Sequence, residues 1–195
     1  MKLALIRHGI TDWNLEKRIQ GRTDQPLSEQ GSRQMQAYAI PHSILNYRWY
    51  CSPLLRARQS AELLGVDNYE LDQALVEMSW GDWEGEILKP LRKQLGEVMR
   101  DNEKRGLDFC PPNGESPRQV QQRLQHWLSN VALADQDIAV IAHKGIIRCI
   151  YAMAFAWDMR GESPVKFAWD AIHQFELSTE GRLVDSYETI PLRNP

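Results

Sequence analysis

The stretch Asp137-Ile138-Ala139-Val140-Ile141-Ala142, followed at once by His143-Lys144-Gly145, decides how the chain is to be read. An almost continuous apolar run of strand length fits a strand covered on both faces, as in a parallel sheet between two helix layers. Such a strand then ends on a histidine and a lysine. Two other short runs end in the same way. Residues 2–6 are mainly apolar and stop at Arg7-His8-Gly9, and residues 49–51 stop at Ser52-Pro53, with Arg56 just beyond.

Helical patterns separate these runs. The spacing predicts helices over 28–39, with Ser28 as cap, from Ser52-Pro53 to Gly65, over 87–104, over 116–133 with Pro117 just inside its cap, and over 145–157. Residues 69–71, 171–177 and 182–187 read as further strands. Residues 9–26 are polar and rich in turn formers, so they read as a long loop, and loops of that length in compact domains are often functional. The alternation argues an α/β three-layer sandwich: a mostly parallel central sheet with helices on both faces. In such folds ligands bind beyond the carboxyl ends of the strands. If the three short strands run parallel, one crevice collects Arg7, His8, Arg56 and His143.

Composition narrows the range of partners. The chain has 195 residues, 43% hydrophobic and 25% charged, with a formal charge of -3. Length favours a single domain over 1–195. Without a basic excess, neither nucleic acid nor a membrane is expected as partner. An anionic ligand must be held by a local cluster of Arg and His. Cys51, Cys110 and Cys149 are odd in number and form no CxxC, so they read as free thiols in a reducing, cytoplasmic setting. No run approaches the roughly 18 apolar residues of a membrane helix.

Two Arg beside two His make poor metal chemistry and good phosphate chemistry. The guanidinium forks suit phosphate oxygens. An imidazole nitrogen can attack phosphorus, and a carboxylic acid is then wanted for the leaving alkoxide.

Arg7-His8-Gly9-Ile10-Thr11, with Trp13-Asn14 following, resembles the opening motif of the histidine phosphatase, or phosphoglycerate mutase-like, superfamily. Further blocks follow in the family's order: Leu27-Ser28-Glu29-Gln30-Gly31, Ser52-Pro53-Leu54-Leu55-Arg56-Ala57, Glu77 before Trp80-Gly81-Asp82-Trp83-Glu84-Gly85, Asn113-Gly114-Glu115-Ser116, and Ala142-His143 before Gly145 and Arg148. The resemblance implies that fold. It also implies a phosphatase that hydrolyses a small phosphorylated metabolite through a phosphohistidine on His8, with no metal and no cofactor. Arg7, Arg56 and His143 would hold the phosphoryl oxygens, and Glu77 would be the general acid. Asn14, Gln20 and Gly21 would line the substrate pocket, and residues 86–112 would cap it. Asp82, Glu84, Glu86 and Glu115 stand as other candidate acids, and Arg58 neighbours Arg56. The chain lacks the extra length of the family's sugar-phosphate mutases, which favours hydrolysis over phosphoryl return. A mutase and a non-catalytic phosphate-binding module are the alternatives.

Two positions depart from the family pattern. Ile10 stands where many members carry Glu or Gln, at the pocket rim. Lys144 follows the second histidine where glycine is usual, and adds a cation beside the pocket or points to solvent. Neither the identity of the phosphorylated substrate nor the oligomeric state is legible.

Overall fold

A computed structural model describes residues 1–192. Its six strands form one sheet: β1 (Lys2–Arg7), β2 (Arg48–Cys51), β3 (Glu70–Leu71), β4 (Ile138–Ala142), β5 (Ala171–Leu177) and β6 (Leu183–Pro191), in the order β3-β2-β4-β1-β5-β6. The first four in that order run parallel, whereas β5 pairs antiparallel with β1 and β6 antiparallel with β5. The eight α-helices among the described residues are α1 (Asp12–Leu15), α2 (Glu29–Gln36), α3 (His42–Leu45), α4 (Leu55–Leu63), α5 (Leu88–Leu95), α6 (Glu97–Glu103), α7 (Pro117–Val131) and α8 (Lys144–Ala154).

Alternation along the central strands sorts their side chains into two cores. Leu3, Leu5, Ile138 and Val140 face a cluster completed by α7 and α8 through Val120, Leu124, Ile147 and Ile150. Ala4, Ile6, Ala139 and Ile141 face the other, completed by Met35 of α2, Ile44 of α3 and Ala57 and Ala61 of α4. This is the three-layer sandwich expected from the sequence. All five β4 residues are buried. Covering side chains such as Ile138, Val140 and Ile141 contributes about 1.5–3 kcal/mol each. A small third cluster of Ile19, Trp83, Leu91 and Met99 ties α5 and α6 to the body.

The local differences from the sequence reading have physical causes. The helix expected over 87–104 breaks at Gly96, whose φ of +52° ends α5 and starts α6. The long loop over 9–26 contains α1, because Thr11 and Asn14 form a reciprocal capping box. Helix α4 starts at Leu55 rather than at Pro53: Leu54 before it is extended, with ψ of +137°, and the Leu55 N–H donates to Asp24 Oδ1 at 2.7 Å. Helix α7 begins as expected, with Ser116 capping, Gln119 reciprocating and Pro117 in the first turn.

Candidate active site

Parallel register assembles the site. Arg7 lies opposite Ala142 in the β1–β4 pairing, and Cys51 lies opposite Ile141 in β2–β4. The His8 N–H donates to the Ala142 carbonyl at 3.0 Å, and the Ser52 N–H donates to the Ile141 carbonyl at 3.0 Å. The residues following the three strands therefore meet at one edge. The His8 and His143 rings are 5.0 Å apart, centroid to centroid. His143 Nε2 and Ser52 Oγ are 2.7 Å apart, within the buried interior.

His8 is held in a defined form. Its Nδ1 lies 2.6 Å from the Gly9 carbonyl oxygen. A carbonyl can only accept, so Nδ1 carries the proton and a neutral ring keeps its lone pair on Nε2. Burial, then the Arg56 and Arg7 charges, hold the His8 pKa well below the ordinary histidine value, which keeps the ring neutral. Burial and Arg56 do the same to His143, whose Nδ1 is buried without a partner.

The two arginines differ. Arg7 Nη2 donates to Asn14 Oδ1 at 3.3 Å, and its Nε is buried without a partner. Asn14 Nδ2 donates to Gln20 Oε1 at 3.1 Å, and the Thr11 hydroxyl donates to the same oxygen at 2.9 Å. Gln20 Nε2 is left unpartnered. Arg56 is fully buried. Its Nη1 and Nη2 donate to the Thr23 and Gly21 carbonyls at 3.1 and 2.7 Å, leaving Nε unpartnered. Gly21 thus anchors Arg56 through its backbone and is not part of the cavity wall. Ser60 links the two halves, accepting from the Gly9 N–H at 2.9 Å and donating to the Arg56 carbonyl at 2.6 Å.

Among the candidate acids, Glu77 faces the cavity and the others are engaged elsewhere or exposed. Its carboxyl accepts from the Met78 N–H at 2.9 Å and the Gly145 N–H at 3.0 Å. A Cβ on Gly145 would collide with Glu77 Oε1, so glycine at the second helical position makes room for the acid. Burial raises the Glu77 pKa even against those two donors and the Arg56 and Arg123 charges. Glu84 is different. Burial would raise it, but hydrogen bonds from the Thr23 hydroxyl and the Arg22, Thr23 and Trp80 N–H groups hold it low. Asp82 is exposed and bonded to Asn113, Glu86 is exposed, and Glu115 is paired with Arg123 at 2.9 Å. Arg123 also donates to the carbonyls of Ala74 and Val76, bracing the chain that leads into Glu77.

These groups open into a cavity of about 840 Å³. Arg7, His8, Asn14, Gln20 and Glu77 line it; Arg56 and His143 are fully buried and are not among the lining residues. The 86–112 segment contributes Leu88, Arg92, Glu103, Gly106 and Phe109 to its lining. Ile10 and Lys144 both line the cavity, and Lys144 Nζ lies 5.6 Å from the centre of the Trp169 ring. Among the described residues no three His, Cys, Asp or Glu side chains are grouped so as to hold a metal ion. Sequence reasoning missed Ser60 and Arg123, and it quoted Ser52 and Arg148 within motif blocks without giving either a role in the site. Ser52 carried a usable signal, a hydroxyl at the end of a strand expected to border the site, and Arg148 carried one in its place within the block that begins at Ala142-His143.

Residues 3–189 match the family model described as the histidine phosphatase superfamily, branch 1. The chain belongs to the histidine phosphatase superfamily. Among its relatives, an uncharacterized phosphatase, PhoE, of Bacillus subtilis is 33% identical over 159 residues, 76% of this chain and 74% of that one. A 2,3-bisphosphoglycerate-dependent phosphoglycerate mutase of Gloeobacter violaceus is 31% identical, over 76% of this chain and 73% of its own. A crystal structure of TTHB049 from Thermus thermophilus superposes with a TM-score of 0.73 at 27% identity, covering 98% of this chain and 100% of that one. No helix among the described residues is long and apolar enough to cross a membrane.

Proposed function

We propose that this protein is a metal-independent phosphomonoesterase, acting on a small phosphorylated metabolite by double displacement through a phosphoryl group on His8. The observation that carries this reading is the His8 ring, fixed by the Gly9 carbonyl with its Nε2 lone pair available and held neutral beside two arginines. In the first step Nε2 attacks phosphorus, an N–P bond forms, and the P–O bond to the alcohol breaks. The Glu77 carboxyl gives its proton to the departing oxygen, and burial favours the protonated form needed for this. In the second step Glu77 takes a proton from water as the water oxygen attacks phosphorus, releasing phosphate and restoring the Nε2 lone pair. Arg7 and His143 stabilise the transferring oxygens, and Arg56 contributes its charge and its unpartnered Nε–H. Two buried cysteines, Cys51 and Cys149, with thiols pushed up to about 12 by burial, suit a reducing cytoplasm.

The phosphatase named PhoE supports hydrolysis as the outcome, and the mutase relative supports a second reading in which His8 returns the phosphoryl group to another hydroxyl. Turnover of phosphomonoesters with release of inorganic phosphate, undiminished by EDTA, is expected. Glu77→Gln should cost about 10²–10⁴-fold on an alkyl phosphate and far less on p-nitrophenyl phosphate, whose leaving group needs no proton. Loss of activity in EDTA would overturn the reading. Dependence on a bisphosphorylated primer without phosphate release would favour the mutase, and phosphate binding without any turnover a non-catalytic module.

A further inference from the structure

Six cationic side chains line the cavity against two carboxyls, and phosphoryl chemistry accounts for only part of that excess. Arg92 is paired with Glu103 at 2.7 Å, and Arg18 is paired with Glu16. Lys17 is exposed. Lys144 and Arg148 have no carboxylate partner among the described residues, and both line the cavity. They stand four residues apart on α8 and so share one face of that helix.

Each is held beside an aromatic ring. Lys144 Nζ lies 5.6 Å from the centre of Trp169 and Arg148 Cζ lies 5.2 Å from that of Trp157. Arg148 Nε is buried without a hydrogen-bond partner. Desolvation in the cavity wall, then repulsion from Arg148 and Arg7, lower the Lys144 pKa, so the three cations lie within electrostatic reach. A phosphomonoester dianion carries two charges, which Arg7 and Arg56 already match. Glu77 offers no compensation while it holds the proton for the leaving group. Two further cations in one partly desolvated wall are unfavourable unless an anion shares the space.

We propose that Lys144 and Arg148 form a second anion subsite, so that the substrate is a phosphomonoester bearing a further carboxylate or phosphate group. The first anion in this description rests on the phosphatase reading above. Lys144, which replaces a residue with no side chain in the family pattern, becomes a specificity residue of this chain.

Equilibrium binding tests the subsite without requiring turnover. The intact enzyme is titrated calorimetrically with propylphosphonate, with 3-phosphonopropionate, which ends in a carboxylate, and with ethane-1,2-bisphosphonate, which ends in a second phosphonate. At least one doubly anionic ligand should bind about tenfold or more tighter than propylphosphonate. That preference should collapse in the Lys144→Met, Arg148→Met double variant. It should fall in Lys144→Met alone, the variant that decides the matter should Arg148 prove necessary for stability. The stronger of the two arms identifies the second group. Equal binding of all three ligands, or an unchanged preference in Lys144→Met, overturns the subsite and leaves the two cations as braces on their tryptophans. The two readings fail separately. A preference without hydrolysis of any phosphomonoester sinks the phosphatase reading and keeps the subsite. Hydrolysis without a preference does the reverse.

Discussion

Ser52 and His143 share a single buried contact of 2.7 Å, and on it rests the orientation of the second histidine. Removing the hydroxyl leaves a buried imidazole nitrogen without its partner, a penalty of about 1–3 kcal/mol. Ser52→Ala should therefore lower kcat/KM by about tenfold or more, with Ser52→Thr recovering part of it, as steady-state kinetics would register. An unchanged kcat/KM would mean that His143 is fixed by packing alone. At this scale the sequence was informative where a residue type announces chemistry. Arg7, His8 and His143 stood at strand ends, and the motif spacing singled out Arg56 over Arg58 and Glu77 over its neighbours. Spacing alone does not show why Glu77 and Glu84 differ as acids, because the difference lies in which donors reach each carboxyl: two backbone N–H groups for Glu77, and a hydroxyl with three for Glu84. Arg123, on α7, left no local trace, since its target, the Val76 carbonyl, lies 47 residues earlier in the chain and only the fold brings it near.

The start of α8 is where element geometry and acid chemistry meet. His143 occupies the cap position, Gly145 donates its N–H to Glu77, and Lys144 and Arg148 share a face toward the cavity. A methyl at Gly145 would press on the Glu77 carboxyl. In the helix itself alanine is favoured over glycine by about 1 kcal/mol. Gly145→Ala should thus fold without loss of stability from the helix and yet lose activity on alkyl phosphates by about tenfold or more, a split that thermal unfolding and kinetics measured together would reveal. Parallel losses of stability and activity would place the effect on the fold instead. Elements with strong periodicity or a clear cap were legible: β1, β4 and α7 lie close to their expected places. The break between α5 and α6 was not, because a lone glycine is tolerated within a helix and only its positive φ marks the end. The four-residue helices α1 and α3 are too short to leave a periodic signal, although Thr11 and Asn14 carried the capping pattern of the first.

On the scale of the molecule, the parallel sheet places two neutral histidines at the junction of both helix layers, and stability must follow their protonation. In the unfolded chain both titrate near 6.5; in the fold burial and the arginines depress them well below it. Stability from this source is fully present above about pH 6.5 and is lost as pH falls from there toward the depressed values, because the unfolded chain takes up the protons first. The slope approaches about 1.4 kcal/mol per pH unit for each histidine. Urea unfolding between about pH 7 and 5 should show this loss, and His143→Asn should flatten it; a wild-type stability that stays level over that range would contradict the neutral assignment. The three-layer order was foreseeable from strand and helix alternation. The antiparallel edge of β5 and β6 was not, since strand direction depends on the route of the connecting chain and not on the residues of the strand. The central claim is that the whole sheet edge serves one nitrogen. It is tested most directly by mixing the enzyme with excess phosphomonoester, quenching within the first turnovers in alkaline denaturant, which preserves an N–P bond, and locating any added phosphoryl group by peptide mass spectrometry. The expected result is a phosphoryl group on His8, absent in His8→Ala together with the activity. Full hydrolysis with no phosphoryl group on any histidine, or an active His8→Ala enzyme, would contradict the account.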